Sequence, residues 1–151
     1  MSNTIQALSA KDRSTGTSSI SASDRRTVVA FKAGAAIAAK DCVCFDTSAT
    51  GADRIITVVK SNNAAAATHQ GVGVALDAAT TAGDVVRVVV EGYVEAANVE
   101  SAVTIGQLLN AGATAGRGAA FGQADDEAAF GQALEAASGN LCDVWIFGLF
   151  A

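Results

Sequence analysis

Four kinds of residue in this 151-residue chain are candidates for chemistry: one histidine, three cysteines, a short acidic run and a glycine-rich loop. His69 lies beside Gln70 in the polar stretch Ser61–Gln70 (SNNAAAATHQ), the setting of a solvated surface side chain. Serines and aspartates abound, but no Gly-x-Ser-x-Gly elbow presents a nucleophile, so a Ser/His/Asp site is not expected. Cys42 and Cys44 sit two apart, so on a strand they share a face yet stand too far apart for an easy disulfide. With the distant Cys142 the count is odd, which leaves at least one free thiol in a monomer and fits a reducing compartment. A Cys-x-Cys pair with one histidine lacks the paired spacing of a zinc module, and buried apolar cysteines are the expectation. Ala113-Thr-Ala-Gly-Arg-Gly118 lacks the Gly-Lys-Ser/Thr ending of a phosphate-cradling loop. Asp125, Asp126 and Glu127 are adjacent rather than alternating, unlike a calcium loop. Asp41, Asp53, Asp77 and Asp84 stand at strand ends or turns, where local hydrogen bonding calls for aspartate. No catalytic, cofactor-binding or metal-binding residues are expected, and an enzyme is not the reading.

Charge divides the chain. Residues 1–32 carry Lys11, Arg13, Arg25, Arg26 and Lys32 against Asp12 and Asp24, a net +3; the rest has five basic and thirteen acidic residues, a net −8. The overall −5 argues against nucleic-acid binding, which needs a basic footprint. The basic, Ser/Thr-rich head has two readings: an extended arm reaching for an acidic partner, with Lys11, Arg13, Arg25 and Arg26 as contacts, or a solvated tail. No stretch approaches the roughly 18 apolar residues that span a bilayer, and the first residues lack an apolar signal core, so neither a membrane nor export is expected.

The elements that must position these residues read as strands. A chain of this length buries enough surface for one core, built here from Val, Ile and Leu with few aromatics. Proline is absent, so the 15 glycines with Asp, Asn and Ser make the turns. A corner-plus-strand unit recurs at Ile37–Phe45, Thr81–Val89 and Val103–Ala111, each turning at Lys-Asp, Gly-Asp or Gly-Gln before an apolar run. Strands are predicted at 26–31, 41–46, 54–60, 71–77, 106–111 and 143–150. Residues 84–97 read as two segments broken at Glu91-Gly92, and 112–122 as a Gly/Ala loop. Residues 61–70 read as a loop or one helical turn. Phe130–Ala136 reads as strand or helix, with alternation favouring strand. The Gly-alternating strand 71–77 leaves one face bare for another backbone or subunit. The last strand must lie centrally or against a partner, and Trp145, Phe147 and Phe150 are its anchors, in the core or at a subunit contact. The expectation is an all-β, compact antiparallel barrel or sandwich over 26–151, with an extended arm over 1–25.

Three stretches carry a resemblance: Gly71–Gly92 (GVGVALDAATTAGDVVRVVVEG), Ala33–Phe45 (AGAAIAAKDCVCF) and Cys142–Ile146 (CDVWI). Over residues 28–150 the chain resembles the small capsid decoration, or cement, proteins of tailed bacteriophages, one branch of which has carried a recombinase label. The resemblance implies a β-barrel-like homotrimer on the outer capsid surface, made in the host cytoplasm, that clamps neighbouring major capsid subunits. Lys40 stands where the pattern has glycine, and the Ser/Thr-rich arm is outside it. The recombinase label has no phosphate loop to support it. The alternative is a low-copy head-fibre or tail module that binds the host surface; a third class, a non-virion enzyme or nucleotide-binding accessory, would be favoured by a ligand that stabilises the fold against heat.

Overall fold

β-branched runs punctuated by glycine form nine strands in the computed structural model, which describes residues 25–63, 71–122 and 128–148. These are β1 (Arg26–Ala33), β2 (Cys42–Phe45), β3 (Thr57–Lys60), β4 (Gly71–Ala75), β5 (Val85–Asn98), β6 (Leu108–Ala111), β7 (Gly118–Ala120), β8 (Gly131–Ala133) and β9 (Leu141–Ile146). They form one sheet in the order β1-β3-β2-β4-β5-β9-β8-β6-β7, and β1 also pairs with β5. That extra pairing closes β1, β3, β2, β4 and β5 into a five-stranded barrel, and closure removes most of the edges an open sheet would expose. The remaining four strands extend the sheet beyond β5.

Two cores follow from the alternation of side chains and from a register shift between Val43 and Cys44 that sends Val72 and Val74 of β4 into different clusters. Phe31, Val43, Val58, Val72, Val86 and Val88 fill the barrel. Cys42, Val74 and Val89 point the other way, off the barrel wall, into a second cluster with Val94, Leu109, Phe130, Val144 and Ile146 of the extension. The extension therefore lies across the barrel's outer wall, and β5 serves both cores because its 14 residues run through both halves. Close approach is built in: a Cβ on Gly73 would strike the Val89 carbonyl oxygen, and one on Gly71 would strike the Phe130 ring. The bare face read from the sequence is thus occupied by this chain's own β5 and Phe130.

The recurrent corners share one geometry. Lys40, Gly83 and Gly106 all have positive φ, at 74°, 98° and 82°. In each, the next side chain turns back to accept the backbone N–H three residues earlier: Asp41 from Ala38 at 2.8 Å, Asp84 from Thr81 at 2.9 Å, Gln107 from Thr104 at 2.7 Å. Positive φ at the third turn residue, with an acceptor at the fourth, is the chemistry of a type II turn. Lys40 fills the glycine position at a conformational cost; its Nζ donates to the Glu95 carbonyl at 2.6 Å.

Several sequence expectations are corrected. The strand expected from Arg54 starts only at Thr57, because Gly51–Ile55 winds into a 3-10 turn closed by Ile56 N–H to the Asp53 carbonyl. Residues 85–98 are one strand rather than two; Gly92, at φ 98°, bends it without ending it. The 112–122 loop contains β7. The all-β, mostly antiparallel barrel stands as expected, with β1 and β3 as its parallel strand pair through Lys32↔Thr57 and Ala33↔Val58. Within 130–136 a strand forms only over Gly131–Ala133, with Gly131 and Ala133 facing the core, and Leu134 just beyond it is exposed. The last strand does lie within the sheet, between β5 and β9's other neighbour β8. The 1–24 part of the expected arm, with Lys11 and Arg13, lies outside the described residues, as do His69, Asp125, Asp126, Glu127 and Phe150.

Candidate interaction surface

Period two decides which side chains of the extension reach solvent. Val144 and Ile146 are buried, so Trp145 between them points outward and is 37% exposed. Register then sets its neighbours: Tyr93 on β5 and Gln132 on β8 both pair with Trp145, and Leu108 on β6 pairs with Gln132. Directly opposed residues share a face, so Tyr93, Trp145, Gln132 and Leu108 form a row across four strands. Leu141, four residues from Trp145 on β9, is exposed on the same side, and Leu134, just past the end of β8, is exposed too. The result is an apolar outer face with polar groups set into it. Trp145 is thus not a core residue of this chain. Phe147, just beyond β9, is half-buried, and its N–H donates to the Phe130 carbonyl at 3.0 Å.

One residue sequence reasoning passed over fixes this face. Between the pairs Val94↔Val144 and Ala97↔Cys142, two residues of β5 oppose Asp143 alone, a bulge that places Ala96 at φ 54°. Asp143 accepts the Ala96 N–H at 2.9 Å and the Tyr93 hydroxyl at 2.6 Å. That hydrogen bond, with burial and the negative charge adding to it, pushes the Tyr93 hydroxyl up to about 12. The phenol is held as a donor beside Trp145. An aspartate between two apolar strand residues gave no sequence signal for this role.

The residues weighed for chemistry are otherwise engaged. The three thiols are buried and reduced. Burial, then the Asp41 charge, pushes Cys42 up to about 12; burial, then Asp46, pushes Cys44 up to about 11; burial also raises Cys142. At neutral pH they stay protonated and weakly nucleophilic. Among the described residues no group of three or more His, Cys, Asp or Glu is placed to hold a metal. In the glycine loop, Thr114 N–H donates to Glu100 at 3.0 Å and Arg117 lies 3.7 Å from the same carboxylate. The groups that would cradle a phosphate instead hold a carboxylate of the chain itself.

Asp41 acts at longer range than its turn suggested. Besides the Ala38 N–H it accepts the Asn98 amide at 2.8 Å and lies 3.1 Å from the Lys60 ammonium. Gly116 packs against it so closely that a Cβ there would sit 2.8 Å from its Cγ. The carboxylate ties the first corner to β3, β5 and the glycine loop, joining barrel to extension. Arg25 is exposed and Arg26 half-buried at the start of β1.

A barrel closed by β1 and β5, with strands continued across its wall, is an arrangement that can be compared whole. A phage head fibre base is folded in a similar way. The solved structure of the head fibre gp8.5 N base of bacteriophage phi29 superposes with a TM-score of 0.52 at 20% identity, covering 80% of this chain and 92% of that one. At that identity the likeness establishes a shared fold. No family model matches the chain, and no curated protein matches it.

Proposed function

We propose that this chain is a structural protein of a tailed-phage virion that sits on the outer capsid surface and stabilises the shell by clamping neighbouring major capsid subunits. The observation that carries the reading is the fold shared with a phage head fibre base over 80% of the chain. The sequence resemblance to capsid decoration proteins points the same way. In this reading the Trp145 face is the contact between copies of a homotrimer. The basic residues Arg25 and Arg26, with Lys11 and Arg13 ahead of them, engage the shell. Each contact is modest and the lattice multiplies it. No catalytic step, cofactor, nucleic acid or membrane enters the proposed mechanism.

A second reading, a low-copy head-fibre base or attachment module, is favoured by the identity of the structural neighbour itself. Copy number on purified particles separates the two: lattice-scale occupancy supports decoration, and a few copies support a fibre base. Binding of the purified chain to expanded empty shells tests attachment. Failure to co-sediment with them would count against both.

A further inference from the structure

We propose that the free edge of β1 is a docking strand for an extended, acid-flanked segment of a partner protein, which adds to the sheet beside Val28 and Ala30. β1 pairs with β3 only at Lys32 and Ala33, so residues 26–31 are paired on one side alone among the described residues. Backbone direction follows from the ladder. Ala33 N–H donates to the Asp84 carbonyl, whereas Lys32 N–H turns away from β5 to the Ile56 carbonyl. Alternation then aims the N–H and C=O of Ala30 and Val28 outward. Thr27 to Ala30 are exposed, with Val28 and Val29 on opposite faces of the strand, each at 39%. An edge with unspent hydrogen bonds and apolar side chains on both faces is a template for strand addition.

Charge selects the occupant. Arg25 and Arg26 stand at one end of the free edge and Lys32 at the other. Of the nearby carboxylates, Asp53 lies 3.5 Å from Lys32 in an exposed pair, Asp77 is engaged by Arg87 opposite Ala30, and exposed Glu91 stands opposite Thr27. A second copy is a poor fit. A second copy brings Arg25, Arg26 and Lys32 of its own to an edge already flanked by the same cations, and like charges across a ladder destabilise it. A segment with carboxylates at both ends and a short β-branched centre meets the same edge with complementary charge. The inference rests on the edge geometry and does not require the virion reading.

The test uses the full-length chain, isotope-labelled, with synthetic peptides EVTVTVE and KVTVTVK at millimolar concentration. The acidic peptide is expected to slow amide exchange at Val28 and Ala30 by about tenfold or more, less so at high salt, while the basic peptide leaves it unchanged. Ala30→Pro removes an outward N–H without breaking a β1–β5 bond, so it should keep the native melting temperature and abolish the acidic peptide's effect. Three results would overturn the proposal: amides already protected in the dilute free protein, equal responses to the two peptides, or protection that grows with protein concentration alone.

Discussion

Replacing Asp41 by alanine should be among the most damaging single changes in this chain, and the structure sets the size. The side chain is 7% exposed and serves three partners. Lys60 is 36% exposed, so its freed ammonium rehydrates and that pair contributes at most about 1 kcal/mol. The Ala38 N–H and the Asn98 amide are different, because each donates to a carboxylate in a closed site. Hydrogen bonds to charged groups are worth about 1.5–3 kcal/mol each, so Asp41→Ala should cost about 3–6 kcal/mol. Asp41→Asn keeps the volume but offers one oxygen for two donors, setting N–H against N–H at one of them; roughly half the loss is expected. Asp84→Ala removes the same turn acceptor where water can replace it, so its loss should be far smaller. Urea unfolding followed by fluorescence of the single tryptophan, with slopes compared, reads all three variants. Equal losses for Asp41→Ala and Asp84→Ala would refute the claim that Asp41 joins barrel to extension.

The remaining predictions probe other contacts. Tyr93 is the sole tyrosine, so absorbance titration reads it alone; its midpoint should fall near 12 in the folded protein and drop toward 10 in Asp143→Asn. Because the folded value is raised, the stabilisation from this hydroxyl is present below pH 10 and is lost as pH rises through 12; an unshifted midpoint would contradict the Asp143 bond. A thiol reagent at neutral pH should find no reactive cysteine in the native chain and three after unfolding, since all three are buried. Gly73→Ala drives a methyl into the Val89 carbonyl and should destabilise by about 1–3 kcal/mol or more in thermal or urea unfolding. Trp145→Gln should leave thermal unfolding nearly unchanged but reduce self-association in sedimentation velocity, because the ring stands on the outer face.

The corners were the most legible part of the fold, because their chemistry is local. Lys40-Asp41, Gly83-Asp84 and Gly106-Gln107 each carry the positive-φ residue and the acceptor within four positions, and the structure repeats one turn at all three. The Val-rich runs announced strands for the same reason. Ile55 and Ile56 misled, since β-branched residues favour a strand only when a partner lies alongside, and here Asp53 and Arg54 wind the chain into a 3-10 turn. Barrel closure between β1 and β5 depends on pairing residues some sixty positions apart, which no local pattern encodes. The outward position of Trp145 depended on the phase of β9 against β5 and β8, so the sequence supplied the anchor but not its side. Asp143 was invisible because its importance comes from a bulge on another strand.

The most direct test of the proposed virion role is quantitative mass spectrometry of purified phage particles from the source of this chain, measured against the major capsid protein. The account predicts that the chain is present, at close to one copy per shell subunit if it decorates the lattice. Its absence from purified particles would contradict the claim that this is a virion protein.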